Sequence, residues 1–219
     1  MRYVSSVALY RSVSGELMAR NIRDPRSQER IVEAAWRLVS RSGAEATTMR
    51  AIAAEAGVTT GSVTHYFEDK ADVMTAVLEH NNRYSLQRIT EASEGLRGLA
   101  AVRACALALM PTEAGVMSMW RVWLAFWTSG YPDPSGAWEL QGGYHSWRDG
   151  MRAHLAEAVR DGEIPSGLNL RYEADRIGAL VAGVGLVFGP AHLNRAGSTR
   201  TLRMLDDHLA GIAEGVHRG

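Results

Sequence analysis

The sequence has 219 residues, of which 46% are hydrophobic and 22% are charged, and 24 lysine and arginine residues balance 24 aspartate and glutamate residues. This composition is typical of a folded protein with one large domain or two smaller ones, and it excludes a chain that is disordered throughout. The single cysteine, Cys105, excludes an intramolecular disulfide and a zinc site built from several cysteines. Because the net charge is zero, any attraction to nucleic acid must come from a local concentration of basic residues.

The chain has no segment of the ~20 consecutive apolar residues that a membrane span needs. The apolar run at residues 7–10 ends at Arg11 and is shorter than the ~7–15 residues of a signal-peptide core. A lone cysteine is typical of a reducing compartment. We therefore expect a cytoplasmic protein without a membrane partner. Residues 1–22 lack a helical period and are predicted to form a flexible tail, and Met18 is an alternative start.

Apolar residues recur with a helical period along most of the chain. Asp24 and Pro25 are typical of a helix start, and Gly43 ends the first predicted helix, at about 25–42. Asp69 and Asp72 are predicted to form a capping pair at the start of a long helix that ends near 93. The other helices are predicted at about 49–56, 60–66, 97–110, 113–129, 135–161, 171–189 and 198–215.

Residues 47–70, TTMRAIAAEAGVTTGSVTHYFEDK, have the spacing of a helix-turn-helix. Ala53 is small where two helices cross, Gly57 allows positive φ at the corner, and Val63 anchors the second helix. From Ile31 to about Val73 the chain resembles the TetR family of transcriptional regulators. The residues that carry this resemblance are Gly43, Thr47, Thr48, Arg50, Ile52, Ala53, Ala56, Gly57, Val58, Thr59, His65, Tyr66, Phe67 and Lys70.

Residues 57–67, GVTTGSVTHYF, are similar to the subgroup typified by the choline/betaine-pathway repressor. Thr64 stands where the family usually has tyrosine. The resemblance implies an all-α protein with a three-helix DNA-binding domain at 23–69 and a larger ligand-binding and dimerisation domain at 70–219. It also implies a repressor that a small-molecule effector of unknown identity releases from a near-palindromic operator.

Helix-turn-helix geometry places the second motif helix in the major groove, where base edges carry a full sequence code. Arg50 is the candidate for a bidentate contact with guanine, and residues at helix N-termini are candidates for phosphate contacts. The predicted DNA-binding residues are Thr47, Thr48, Arg50, Thr59, Thr60, Gly61, Ser62, Thr64, His65, Tyr66 and Lys70.

The net positive charge lies ahead of this motif, since the basic residues within it are outnumbered by acidic ones. Residues 1–30 contain six arginines against three acidic residues, a net charge of +3, whereas residues 46–70 carry a net charge of −1. One interpretation is an arm that follows the DNA backbone or enters the minor groove. The other is a tail without DNA contacts.

Five of the six tryptophans lie between residues 120 and 147. Their helical spacing fits either an ordinary bundle core or an aromatic effector pocket, and the TetR resemblance favours the pocket. Tryptophans beside a carboxylate suit a cationic or quaternary-ammonium ligand. The predicted pocket residues are Glu113, Met117, Trp120, Trp123, Trp127, Tyr144 and Trp147.

The last two predicted helices are candidates for a homodimer interface. Leu202, Leu205, Leu209 and Ile212 form a stripe on the final helix, and small residues line the helix before it. A four-helix contact between two copies and burial inside one copy both fit this pattern.

The remaining motifs do not indicate an enzyme. The histidines lack metal-binding spacing, and the chain lacks a Gly-x-Ser-x-Gly elbow. We therefore expect no enzymatic activity, no metal and no cofactor. An architectural DNA binder and a helical small-molecule carrier without a specific operator remain the alternatives.

Overall fold

The computed structural model describes residues 25–129, 137–188 and 195–215. Helices make up these segments, without a strand, which confirms the all-α prediction. Among these residues no helix is both long and apolar enough to cross a membrane. The predicted tail at residues 1–22 lies outside the described residues. The helices are α1 (Pro25–Ala46), α2 (Met49–Ala56), α3 (Thr60–Tyr66), α4 (Lys70–Ser93), α5 (Gly98–Ala108), α6 (Ala114–Ser129), α7 (Ala137–Arg160), α8 (Leu170–Phe188) and α9 (Arg195–Ala213).

Local sequence signals explain where the first helices begin and end. Gly43 interrupts α1 with φ 80° and ψ 168°, a backbone region that is essentially restricted to glycine. At the start of α4, the Asp69 carboxylate accepts the N–H of Asp72 at 3.1 Å. The Asp72 carboxylate accepts the N–H of Glu68 at 2.9 Å. The predicted capping pair is therefore confirmed, with its second bond one residue earlier than in a standard capping box.

The described residues form two hydrophobic cores, which we call the head core and the body core. The head core joins α1–α4, but Val122 and Phe126 of α6 are buried in it as well. The body core is built from α5–α9. The head therefore uses the first half of α4 and one face of α6 in addition to α1–α3.

The last two helices bury part of the stripe that suggested a dimer. Leu205, Leu209 and Ile212 belong to the body core and are at most 6% exposed, so this part of the stripe packs within one copy. Among the described residues of these helices, the large apolar side chains that stay exposed are different ones: Tyr172, Leu186 and Val187 of α8 and Met204 of α9. The helical period correctly identified an apolar face on α9, but it could not show whether helices of the same copy or of a second copy cover that face.

Candidate nucleic-acid interface

The turn between α2 and α3 has the conformation that the motif predicts. Gly57 adopts φ 68° and ψ 32°, the left-handed region that glycine occupies without steric cost. The N–H of Val58 returns to the Ala53 carbonyl at 2.9 Å, which closes the end of α2. The turn thereby directs α3 across the head.

Both motif helices begin with a threonine cap. Thr48 Oγ1 accepts the N–H of Ala51 at 3.2 Å, and Thr59 Oγ1 accepts the N–H of Ser62 at 3.1 Å. These bonds satisfy N–H groups that a helix start leaves without an intrahelical partner. The Thr59 and Ser62 hydroxyls also lie 2.9 Å apart and share a hydrogen bond.

One side of α3 anchors the helix and the other faces outward. Val63 is fully buried in the head core, and the next apolar residue, Phe67, is 4% exposed. Ser62 and Tyr66 are half-buried, and the Tyr66 ring meets the His65 ring edge to face at 5.1 Å. The predicted contacts that lie on the exposed side of α3 are Thr60, Gly61, Thr64 and His65.

Two of the predicted DNA contacts are used within the protein instead. Thr47 is 1% exposed, its hydroxyl donates to the Gly43 carbonyl at 2.8 Å, and its N–H bonds to the Ala44 carbonyl. Lys70 Nζ donates to the Glu45 carbonyl at 3.2 Å, at the end of α1. These two side chains tie α1 to the motif, so we remove them from the candidate DNA-contact set.

Ion pairs set the charge of the outward surface near α2. Glu55 accepts hydrogen bonds from Arg41 at 2.8 Å and Arg37 at 3.2 Å. The Arg41 guanidinium, and then that of Arg37, hold the pKa of the Glu55 carboxyl below its usual value. Arg50 lies at the exposed start of α2, as a base or phosphate contact requires.

A groove between the start of α1 and α3 adds residues that the motif did not identify. Ser27 and Arg30 of α1 line it opposite Thr59, Gly61 and His65. Arg30 is exposed and donates to the Ser27 hydroxyl at 3.1 Å. Its position beside α3 depends on how α1 packs and has no signal in the motif spacing.

Sequence profiles of known families match both parts of the chain. Residues 31–77 match the profile for bacterial regulatory proteins of the tetR family. Residues 99–214, more than half of the chain, match the profile for the C-terminal part of BetI-type transcriptional repressors. The chain belongs to the TetR family. It is thus a member of a family of DNA-binding transcriptional regulators, which are not enzymes.

Individual relatives agree with this assignment. The chain is 26% identical over 198 residues to the HTH-type transcriptional regulator PksA of Bacillus subtilis, a match that covers 89% of this chain and 94% of PksA. It is 30% identical over 109 residues to BetI of Burkholderia cenocepacia, covering 48% of this chain and 55% of BetI. A transcriptional regulator from Saccharomonospora viridis, crystallised in complex with choline, has the same fold, with a TM-score of 0.77, 21% identity, and coverage of 85% of this chain and 97% of that one.

In this TetR-family chain the tryptophans of α6 form one aromatic face. The Trp120 ring meets the Trp123 ring at 5.0 Å and the Trp127 ring at 6.3 Å, both edge to face. Trp120 is buried and donates to the Leu109 carbonyl at 2.7 Å, whereas Trp127 is 46% exposed. Met117 and Trp147 are half-buried, and the Tyr144 side chain lies outside the part of the chain that the structure describes.

The predicted carboxylate of the pocket has another partner. Glu113 is exposed and accepts a hydrogen bond from Arg88 of α4 at 3.3 Å. It lines a groove together with Ala92, Leu107 and Leu202, and the described residues of that groove include no tryptophan. We therefore separate Glu113 from the aromatic face.

Proposed function

We propose that this TetR-family chain is a homodimeric repressor whose two α3 helices read a near-palindromic operator and leave it when a small-molecule effector binds. The exposed side of α3 carries the proposal, because Thr60, Gly61, Thr64 and His65 stand outward on a helix that Val63 anchors from below. This geometry suits insertion into a major groove. The complete proposed contact set is Arg30, Thr48, Arg50, Thr59, Thr60, Gly61, Ser62, Thr64, His65 and Tyr66.

Selection from random duplexes with the full-length protein tests operator recognition. A specific regulator should enrich one near-palindromic sequence and bind it ~10³-fold or more tightly than random DNA at the same salt concentration. A ratio near one would favour an architectural DNA binder. Absence of DNA binding would favour a small-molecule carrier.

The exposed apolar side of α8 supports a dimer through the last two helices. Ala179 and Gly183 are exposed one turn apart, and a Cβ added at Gly183 would meet no atom within 4 Å. Leu186 and Val187 continue the same side, at 41% and 66% exposure. Small residues flanked by exposed apolar ones allow a second copy to approach closely around a two-fold axis.

Two exposed leucines provide a matched test of this interface. Leu186→Arg places a charge on the proposed interface, and Leu86→Arg makes the same change on α4, where the leucine is 46% exposed. We expect sedimentation to show a monomer for Leu186→Arg and a dimer for Leu86→Arg. A dimer for both variants would place the interface elsewhere.

The aromatic face of α6 supports a cationic effector. Tryptophan faces attract quaternary ammonium groups, by ~0.5–2 kcal/mol, and the relative from Saccharomonospora viridis was crystallised with choline. Because Glu113 pairs with Arg88, the tryptophan rings and not this carboxylate carry the proposed attraction. Effector binding then shifts the population away from the DNA-competent state, by no more than its differential affinity for the two states.

Calorimetric titration with choline and with its neutral analogue 3,3-dimethylbutan-1-ol tests the charge requirement. The analogue has the same shape without the positive charge, so we expect choline to bind about tenfold more tightly. Equal affinities, or no binding of either compound, would contradict a cationic effector of this class.

A further inference from the structure

Two tryptophans and two consecutive asparagines join the head to the body. Trp36 of α1 and Trp123 of α6 each pack against both hydrophobic cores. Trp36 Nε1 donates to the Asn81 side-chain oxygen at 2.7 Å, and Trp123 Nε1 donates to the Asn82 side-chain oxygen at 3.1 Å. Both asparagines lie on α4, which runs between the motif and the body.

Asn81 holds three helices at a single point. Its side chain is fully buried, and its amide nitrogen donates to the Met119 carbonyl of α6 at 3.2 Å while its oxygen accepts from Trp36 of α1. The rings of His80 and Tyr84 flank Trp36 at 5.9 Å and 6.1 Å. The Trp36 indole therefore has one defined position, with its N–H directed at α4.

The physical contribution of this junction differs from that of the apolar contacts around it. Apolar contacts are non-directional and tolerate sliding of α1 over α6, whereas a hydrogen bond weakens steeply as its angle departs from linear. A buried amide also loses its hydration, so the net stabilisation from its hydrogen bonds is small. Buried polar groups of this kind can instead select one arrangement among several that bury the same apolar surface.

We propose that Asn81 and Asn82 are positioning residues that set the orientation of the DNA-reading head on the body and, in the dimer, the distance between the two α3 helices. This inference rests on the proposed operator-binding dimer. It assigns the preference for one half-site spacing to two asparagine side chains that do not touch DNA.

The same junction contacts the aromatic face. Trp123 meets Trp120 at 5.0 Å and also bonds to Asn82. A ligand that displaces the Trp123 ring therefore acts directly on a bond to α4, one residue from the bond that holds α1.

The test compares half-site spacing preferences of full-length proteins. The operator is first selected from random DNA with the wild-type protein, and binding is then measured on versions with one base pair removed or added between the half-sites. The main variant is Trp36→Phe/Asn81→Leu, which removes the Trp36 N–H together with its acceptor and so leaves no buried indole N–H unpaired. It also removes the Asn81 bond to the Met119 carbonyl. Asn82→Ala is a second variant, at a half-buried position. Ser85→Ala is the control, because Ser85 is also buried on α4 but its hydroxyl donates within its own helix, to the Asn82 carbonyl at 2.8 Å.

We expect the wild-type protein and Ser85→Ala to prefer the selected spacing by about tenfold or more. In Trp36→Phe/Asn81→Leu this preference should fall to about threefold or less, with unchanged affinity for random DNA and a similar melting temperature. Asn82→Ala should show a loss in the same direction, so the inference stays testable where the double variant does not fold. A wild-type spacing preference in both variants would overturn the inference while leaving the proposed repressor intact. Failure of the wild-type protein itself to enrich an operator would overturn both.

Discussion

A single methyl group added at Gly185 of α8 should strongly disturb the packing of the body. An alanine Cβ at this position would overlap the indole ring of Trp120 on α6. The ring has little room to move, since Trp120 is 3% exposed and its N–H donates to the Leu109 carbonyl at 2.7 Å. The absence of a side chain at Gly185 thus allows α8 and α6 to pack around a tryptophan.

The magnitude follows from three terms. Overpacking a close-packed core costs ~1–3 kcal/mol. If the ring shifts, the buried indole N–H loses its partner at a further ~1–3 kcal/mol. Replacing glycine by alanine inside a helix restores ~1 kcal/mol. We expect Gly185→Ala to lower the free energy of unfolding by about 2 kcal/mol, and the melting temperature by about 4–8 °C for a chain of this size.

Thermal unfolding followed by circular dichroism measures this effect, at one protein concentration because association shifts melting temperatures. Gly143→Ala is the matched control, since it is also inside a helix and its added Cβ would meet Asn82 atoms at 3.9 Å, an ordinary contact. That variant should be as stable as the wild type or more stable, by up to ~1 kcal/mol. A Gly185→Ala protein that melts at or above the wild-type temperature would refute the reasoning.

Three further predictions concern the head and its junction. Gly57→Ala should lower the free energy of unfolding by about 1 kcal/mol because of the left-handed backbone, and Gly57→Asn by less; equal losses in chemical denaturation would contradict this cause. Burial, and then Arg83, lower the pKa of His80 against the opposing effects of Glu33 and Glu29. Because the unfolded state then binds the proton more readily, stability should fall as the pH drops below about 6.5, and His80→Gln should flatten this dependence in denaturation curves between pH 5 and 8; an unchanged slope would contradict it. Arg50→Ala should weaken operator binding by about 10- to 100-fold without changing the melting temperature. Thr47→Val should lower the melting temperature without weakening operator binding, because the buried Thr47 hydroxyl bonds within the protein. A comparable loss of operator affinity in both variants would return Thr47 to the interface.

Signals within a few residues predicted much of the DNA-reading head. Thr48, Gly57 and Thr59 act on backbone groups within four residues, so their roles follow from capping and turn rules. Lys70 also stands at a helix start, but its side chain reaches the Glu45 carbonyl, 25 residues earlier. Its position at a helix start therefore did not predict this bond between α4 and α1.

Apolar patterning was informative about faces and not about neighbours. The α9 stripe was correctly identified as apolar, yet Leu205, Leu209 and Ile212 pack within one copy. The α6 tryptophans formed one face as predicted, while Glu113, placed on that face by spacing alone, bonds to Arg88. A helical period specifies which residues share a side, and the position of the other helices specifies what covers that side.

The sequence by itself determined that this protein is helical, where most helices begin and end, and which residues form the helix-turn-helix, because each of these depends on backbone preferences over three or four residues. Only the tertiary structure decided how the head sits on the body. The bonds from Trp36 to Asn81 and from Trp123 to Asn82 join residues 45 and 41 positions apart. The distribution of charge along the chain can be counted from the sequence alone. The meeting of α1, α4 and α6 at the buried Asn81 side chain depends on how distant segments pack.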